Sequence, residues 1–282
     1  MIISTINVNG IRAAVKQRSA DNLGLLAWLE QTRADIVCLQ ETRADDDQLA
    51  AALAPALADG WSVASADAHR KGRNGVAVLS RRPFTAVRVG LPTADEFADH
   101  GRYLEVDVDG CPDKTAGGLT IASVYVHTGE ADTPHQAEKE RFMAGLAARM
   151  AALSRQRRDV VVCGDWNIAH TENDIKNWKG NVKKSGFLPS ERQWLSDLLA
   201  AGWVDVVRHL HPDTAGPYSW WSWRGRAFDN DAGWRIDYQL ANKRLAARVR
   251  AARVERADAY ALRWSDHAPV TVEYGRDKIG PS

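Results

Sequence analysis

Apolar residues along this chain fall into short runs of period two, short unbroken runs, and longer stretches of period near 3.6. The first two kinds predict strands at Met1–Ile6, Asp35–Gln40, Trp61–Ser65, Gly75–Ser80, Thr85–Val89, Tyr103–Val108 and Leu119–Val126. Val160–Cys163 is unbroken, as a central strand buried on both faces requires. Strands near Tyr218–Trp223, Arg235–Ala241 and His267–Tyr274 close the series. The helical period predicts helices from about Asn22 to Thr32 and over Asp46–Leu57. A longer helix begins at Thr133-Pro134-His135-Gln136, which has capping-box spacing and Pro at the first helical position, and keeps Phe142, Leu146, Met150 and Leu153 on one face. Another opens at Ser190-Glu191-Arg192-Gln193, carries Trp194, Leu198 and Leu199, and ends at Gly202.

Too few of these elements alternate strictly as strand–helix–strand for a plain doubly wound sheet. Two stacked sheets with helices outside fit the order better. No linker, low-complexity tract or repeat breaks the sequence, so one domain over 1–282 is expected. With 282 residues, 45% of them hydrophobic, a large core is available. Of the cysteines at 38, 111 and 163, Cys38 and Cys163 lie inside apolar strand runs and read as buried thiols rather than a disulfide framework. Nothing resembles a signal peptide or a membrane span, which leads to the expectation of a cytoplasmic protein without membrane attachment. The net charge of +1 does not by itself mark a polyanion binder. The lysine-rich stretch KNWKGNVKK (176–184) is loop-like and suits phosphate contact, whereas 243–256, a helix followed by a strand, reads as a solvated face.

The chemistry lies where strands end. Ile2–Ile6 delivers Asn7 and Asn9, Ile36–Gln40 delivers Glu41, and Ile121–Val126 carries Tyr125 and is followed by His127. Val160–Cys163 runs into Asp165 and Asn167, Arg235–Ala241 carries Asp237, and Asp266-His267 opens the last strand. One such residue is ordinary turn chemistry, but six strands so decorated suggest a shared site. Glu41 with Asp266 or Asn9 supplies the oxygen donors that Mg²⁺ prefers; the separated cysteines do not suit structural zinc, and no GxSxG elbow supports a serine nucleophile.

INVNGIR (6–12), LQETR (39–43), GDWNIAH (164–170), WRIDY (234–238) and SDHAPV (265–270) occur in the order found in the exonuclease III class of apurinic/apyrimidinic endonucleases, within the endonuclease/exonuclease/phosphatase superfamily, and the chain resembles that class from residue 2 to about 274. KGNVKKSGFLPSERQWL (179–195) and YSWWSW (218–223) resemble the DNA-repair branch in particular. The resemblance implies a four-layer α/β sandwich, two stacked mixed β-sheets flanked by helices. It implies a Mg²⁺-dependent phosphodiesterase, with Mn²⁺ as a possible substitute. The substrate would be double-stranded DNA with abasic sites or blocked 3′ ends, cut 5′ to the abasic site by a monomer, with 3′-phosphodiesterase and 3′→5′ exonuclease action besides.

By the same resemblance Glu41 is the principal metal ligand, helped by Asn9 and Asp266. Asp165 activates the attacking water, and Asn167 holds that water or the phosphate. Asp237 orients His267 toward a phosphate oxygen, and Tyr125 and Asn7 complete the phosphate or acid–base shell. Trp220, Trp234 and Ile236 line a pocket for the baseless sugar, while Arg12, Arg43, Lys179, Asn181 and Lys184 contact the backbone. At His127-Thr128 the chain departs from the class, which there has Pro and then an amide residue. The strength of a phosphate contact at Thr128 is thereby left open, and His127 either adds such a contact or packs, packing being the preferred reading. Two rivals remain at this stage: a phosphodiesterase acting on a lipid or inositol phosphate, and a non-catalytic nucleic-acid-binding regulator on the same scaffold.

Overall fold

A computed structural model of the chain describes residues 1–109 and 118–275. Cys111 lies outside the described residues. Twelve strands form two sheets: β1 (Ile2–Asn7), β2 (Ile36–Gln40), β3 (Ser62–Ala66), β4 (Val76–Ser80), β5 (Phe84–Val89), β6 (Tyr103–Val108), β7 (Leu119–Tyr125), β8 (Asp159–Asp165), β9 (Trp203–Asp205), β10 (Asp237–Asn242), β11 (Val249–Val254) and β12 (Val270–Tyr274). One sheet runs β11-β12-β1-β2-β4-β3 and the other β5-β6-β7-β8-β10-β9. Both are mixed. β1 and β2 are parallel in the first, β7 and β8 are parallel in the second, and every other pairing is antiparallel.

The two orders are the same order six strands apart. Each sheet consists of four strands from one half of the chain and a hairpin from the other: β5-β6 completes the sheet of β7–β10, and β11-β12 completes that of β1–β4. Equivalent strand ends therefore face one another across the sandwich. The ends of the parallel pairs deliver Asn7 and Glu41 from one sheet and Tyr125 and Asp165 from the other.

Three apolar layers hold the fold. Between the sheets lie Ile3, Cys38, Val78, Val106, Ile121, Val161, Cys163, Val270 and Val272. Outside the first sheet, Leu25, Leu29, Leu49 and Leu53 of the helices Gly24–Gln31 and Asp46–Ala58 cover Ile6, Val37 and Leu39. Outside the second, Phe142, Leu146, Met150 and Leu153 of helix Pro134–Leu153 cover Ala122, Val160 and Val162. Helix, sheet, sheet, helix makes the expected four layers. Near the site the inter-sheet layer turns polar: Gln40 Nε2 donates to Thr5 at 3.0 Å and, across the gap, to Ser123 at 3.1 Å.

Three local readings need correction. Tyr218–Trp223 is not a strand. Its main chain wedges between two segments, pairing at Trp220 alone with Trp234 and His267, so its alternating aromatics reflect two packing surfaces rather than a ladder. The helix read from Ser190 starts at Pro189, because Glu191 turns its carboxylate back onto the Leu188 and Gly186 amides at 3.1 and 2.6 Å. At Thr133 the N-cap forms, its hydroxyl accepting from the His135 amide, but Gln136 does not close the box; it reaches Glu191 at 3.1 Å instead. The strand β9 was not foreseen, since three residues carry too little period to detect. No helix among the described residues is long and apolar enough to cross a membrane.

Candidate active site

Two short turns with the same geometry begin the site. At the end of β1 the Asn7 Oδ1 accepts from the Asn9 amide at 2.9 Å, and at the end of β8 the Asp165 Oδ1 accepts from the Asn167 amide at 2.9 Å. Both turns place their third residue in the left-handed region, φ 49° for Asn9 and for Asn167, which asparagine tolerates better than most residues. Glu41 and Arg43 follow β2 with φ 51° and 50°. Side chains of their kind take up that conformation at a cost of about 1 kcal/mol or more each. Backbone strain is thus concentrated where the polar groups converge.

Asn7 is completely buried and joins the two sheets. Its Nδ2 donates to Glu41 Oε1 and to Asp165 Oδ2, both at 2.8 Å. Glu41 Oε2 also receives Arg43 Nε at 2.9 Å and a second contact from the same guanidinium. Asp165 is held further by the Asn167 amide group at 3.2 Å, and Asn167 donates to the Val126 carbonyl at 2.9 Å. Thr128 Oγ1 meets Asn167 Oδ1 at 3.2 Å, so it reaches the site as an accessory to Asn167.

The last strand brings the imidazole. His267 Nδ1 is 2.8 Å from Asp237 Oδ2, which also accepts from Ser219 Oγ at 2.6 Å, and His267 Nε2 stands 3.7 Å from Asp165 Oδ2. Asp266 turns the other way. Its oxygens accept from Asn9 Nδ2 at 2.8 Å and from the Trp220 indole at 3.1 Å. Ser265 Oγ donates to the Asn7 carbonyl at 2.6 Å and so fixes this turn to the end of β1. The acid and imidazole adjacent in sequence therefore engage different partners, Asn9 and Trp220 for Asp266 and Asp237 for His267.

Electrostatics follow from burial and crowding. Burial, with the charges of Asp237 and Glu41 adding to it, pushes the Asp165 carboxyl up to about 7, although His267 and Asn7 pull it down. For His267 burial opposes the charge, but the Asp237 and Asp165 carboxylates outweigh it and raise the imidazole to about 10. Burial likewise raises Asp266, yet His267, Trp220 and Asn9 leave it below the ordinary aspartate range. Tyr125 is pushed well up by burial and by the Glu41 and Asp165 charges, so it stays a phenol.

These groups open onto a cavity of ≈ 290 Å³ lined by Asn9, Glu41, Arg43, Thr128, Asp165, Asn167, Asp266 and His267 on its polar side and by Trp220, Trp234 and Ile236 on its apolar side. Trp220 and Trp234 meet edge to face with centroids 6.2 Å apart. Arg235, between Trp234 and Ile236, is buried instead against Asp174 and Asp205 at 2.6 and 2.8 Å. Asn7 and Asp237 are beneath the surface as supports, and Tyr125 lines an adjoining cavity with Glu41 and Thr128. Arg12 lies at the rim, 3.4 Å from the Arg43 carbonyl. Asn181 and Lys184 are not brought into the cavity; Asn181 bonds its own loop at the Asn177 carbonyl, 2.8 Å away, and this loop leads into Ser185-Gly186 on the wall.

Sequence reasoning missed the support behind that wall. Lys139 and Glu191 form a 2.7 Å ion pair with neither side chain exposed, and Lys139 Nζ also donates to the Asn167 carbonyl at 3.0 Å. Gly186, at φ +92°, passes so close that a Cβ there would lie 3.0 Å from the Trp234 ring. Glu191 in the quoted PSER segment was a usable signal, whereas Lys139 looked like a solvated helix residue. Ser219, which supports Asp237, was concealed among tryptophans.

Two carboxylates and an amide, all able to offer oxygen and with no thiolate nearby among the described residues, fit a hard divalent cation, and Glu41 already pairs with one cation, the Arg43 guanidinium. Asp165, Asp237 and His267 also place ligand atoms within 4.8 Å of one another, but Nδ1 of the imidazole is committed to Asp237. Held between an ionised imidazole and a polar wall, a phosphate group would meet positive charge and a base on one side and an apolar slot on the other.

The sequence model of the Endonuclease/Exonuclease/phosphatase family matches residues 4–267. An exodeoxyribonuclease of Bacillus subtilis is 33% identical over 264 residues, covering 94% of this chain and 95% of its own. Among solved structures, a 3′ phosphatase from Neisseria bound to a product DNA hairpin superposes with TM-score 0.84 at 31% identity, covering 98% of this chain and 100% of that one. An AP endonuclease from Archaeoglobus fulgidus does so with TM-score 0.83 at 26% identity, covering 97% and 99%.

Proposed function

This chain belongs to the Endonuclease/Exonuclease/phosphatase family, and from that premise we propose that it cleaves the DNA backbone 5′ to abasic sites, leaving a 3′-hydroxyl and a 5′-deoxyribose phosphate. It is a hydrolytic DNA-repair nuclease, as its exodeoxyribonuclease and AP endonuclease relatives indicate. Trimming of blocked or intact 3′ ends at the same site belongs to the proposal, supported by likeness to a 3′ phosphatase. One observation carries the abasic reading: the acid–imidazole wall and the Trp220–Trp234–Ile236 wall enclose a single ≈ 290 Å³ cavity. A nucleotide without a base has nothing to unstack, and it enters such a slot at less cost than an intact one.

The chemistry follows from the side chains. Asp165, raised to about 7, is a base matched to neutral pH; it takes a proton as water attacks the phosphorus. The bond from phosphorus to the 3′ oxygen breaks, and that oxygen leaves to be protonated from solvent. His267, kept protonated by Asp237, turns its Nε2–H toward the phosphate and counters the charge that develops on its oxygens. Asn167 holds Asp165 and positions the attacking water. Glu41, Asn9 and Asp266 are the residues that would hold Mg²⁺, with Mn²⁺ as a substitute. When bound, such an ion supplies Lewis-acid stabilisation of phosphate charge. Arg12, Arg43, Lys179, Asn181 and Lys184 are assigned to the backbone outside the cavity, where phosphate contacts supply affinity without reading sequence.

Action as a monomer belongs to the same proposal. The paired buried thiols Cys38 and Cys163 support a cytoplasmic setting. The experiment is incubation with end-labelled duplexes, one abasic, one intact and blunt, one ending in a 3′-phosphate, with Mg²⁺ and with chelator. Abasic cleavage that disappears with chelator is expected. Turnover of intact ends with none at the abasic site would overturn the abasic assignment.

A further inference from the structure

Next to the catalytic cavity, and sharing Glu41, Arg43 and Thr128 with it, lies a cavity of ≈ 640 Å³ whose wall includes His127, His135 and Glu138. His127 follows β7 by two residues. His135 and Glu138 stand at i and i+3 in the first turns of helix Pro134–Leu153, hence on one face. His127 Nε2 is 3.9 Å from Glu138 Oε1, His135 Nδ1 is 4.0 Å from Glu138 Oε2, and the two rings are 4.8 Å apart between centroids.

His127 is 4% exposed, yet neither ring nitrogen has a hydrogen-bond partner. The His135 main chain comes near without completing one. Whatever its tautomer, a neutral imidazole carries one donor and one acceptor, and a merely packing histidine would find something for them. Glu138 is steadied from behind by Arg102, whose Nη1 donates to Oε1 at 2.9 Å and leaves Oε2 toward His135. Carboxylates that ligate metals are commonly oriented by a hydrogen bond of this sort. Burial, aided by the Arg102 charge, holds His127 down to about 3, so the ring is neutral at physiological pH, the form a metal takes.

We propose that His127, His135 and Glu138 form a second metal site, for Zn²⁺ or a similar transition metal, separate from the Glu41–Asn9–Asp266 site. Two imidazole nitrogens and one carboxylate are a zinc-type donor set, whereas Mg²⁺ demands oxygens. Zn–N and Zn–O bonds near 2 Å place tetrahedral ligands about 3.3 Å apart. The ligand atoms, already all within 4.8 Å, close with small rotations of the half-exposed His135 and the partly exposed Glu138. The bound metal ties the end of β7 to the first turn of the helix, beside Thr128 at the mouth of the catalytic cavity.

The test is calorimetric titration of the metal-free full chain with Zn²⁺ in excess Mg²⁺, repeated with His135→Ala, Glu138→Gln and Glu41→Gln. A Co²⁺ titration read by visible d–d absorption accompanies it. One Zn²⁺ equivalent lost in both His135→Ala and Glu138→Gln but kept in Glu41→Gln is expected, together with loss of the Co²⁺ bands and of the Zn²⁺-dependent rise in Tm. Because both altered side chains are partly exposed, circular dichroism should find the variants folded; were one unfolded, the other decides. Zn²⁺ stoichiometry equal to that of the unaltered chain in either folded variant would overturn the site, as would complete displacement of Zn²⁺ by Mg²⁺.

Discussion

Asn7 ends a strand of one sheet, Asp165 ends a strand of the other, and a 2.8 Å hydrogen bond from the Asn7 amide joins them across the sandwich. The same amide group reaches Glu41 at 2.8 Å, so a neutral donor separates two carboxylates that would otherwise repel. That bond draws the Asp165 ionisation down while burial and Glu41 push it up.

Asn7→Ala should therefore raise the Asp165 ionisation further. A base must be ionised to act, so activity falls as pH drops below about 7 in the unaltered chain. In the variant this acid limb moves to higher pH and kcat drops by roughly 10²-fold. A pH–rate profile under single turnover checks it. An acid limb that stays in place would assign the limb to another group.

His267 and Asp237 are expected to behave as one unit. His267→Asn should cut kcat by roughly 10²-fold or more, Asp237→Asn by a similar or smaller factor, and the double variant little more than His267→Asn alone. Multiplicative losses would separate the pair. Stability gives a second reading. The folded imidazole ionises near 10 rather than 6.5, so its pairing stabilises fully below pH 6.5 and is lost as pH rises through about 10. The gap in urea midpoint between the unaltered chain and His267→Asn should narrow across that window.

Glu41→Ala should lower activity strongly at low Mg²⁺ and recover part of it at high Mg²⁺, since one ligand is lost while Asp165 remains in place. Titrating Mg²⁺ at fixed substrate decides this. An equal loss at every concentration would remove Glu41 from the ligand set.

Trp234→Ala should impair cleavage of abasic duplex more than binding of undamaged duplex, whose affinity rests on phosphate contacts. Parallel losses in cleavage and gel-shift assays would make Trp234 a packing residue only.

Lys139→Met leaves the Glu191 carboxylate charged, buried and without its cation, a change that typically costs about 3–5 kcal/mol. Glu191→Gln should cost a similar amount, because it leaves the buried Lys139 ammonium without its anion and replaces one accepting oxygen by an amide NH₂ that faces donors. Urea denaturation of both variants provides the comparison, and a Lys139→Met cost under about 1 kcal/mol, the scale of a surface pair, would contradict the buried pairing.

Much of the site was legible because its functional groups sit at or close to the ends of apolar strands, and period and polarity locate such ends well. Asn7, Glu41, Asp165 and His267 were visible for that reason. Residues that act from beneath were not: Lys139 is one charge on a helix whose partner lies far along the chain, and Ser219 is a small polar residue between aromatics. Asn181 bonds back to its own loop and Lys184 stays exposed outside the cavity, a placement no local pattern reveals. The fold class followed from element order. The exchange of hairpins between halves did not, since β5-β6 and β11-β12 look the same wherever they pair.

That exchange has a consequence for synthesis. β12 lies between β11 and β1, so β1 is bordered on one side by a strand from the far end of the described residues. Until the ribosome has released residues beyond Tyr274, the β1 edge is bare and the first sheet unfinished, and such long-range closure is slow. The same delay withholds Asp266 and His267. A nascent chain therefore carries Glu41 and Asp165 without the imidazole until β12 has been made, and that one strand both seals the sheet and arms the site.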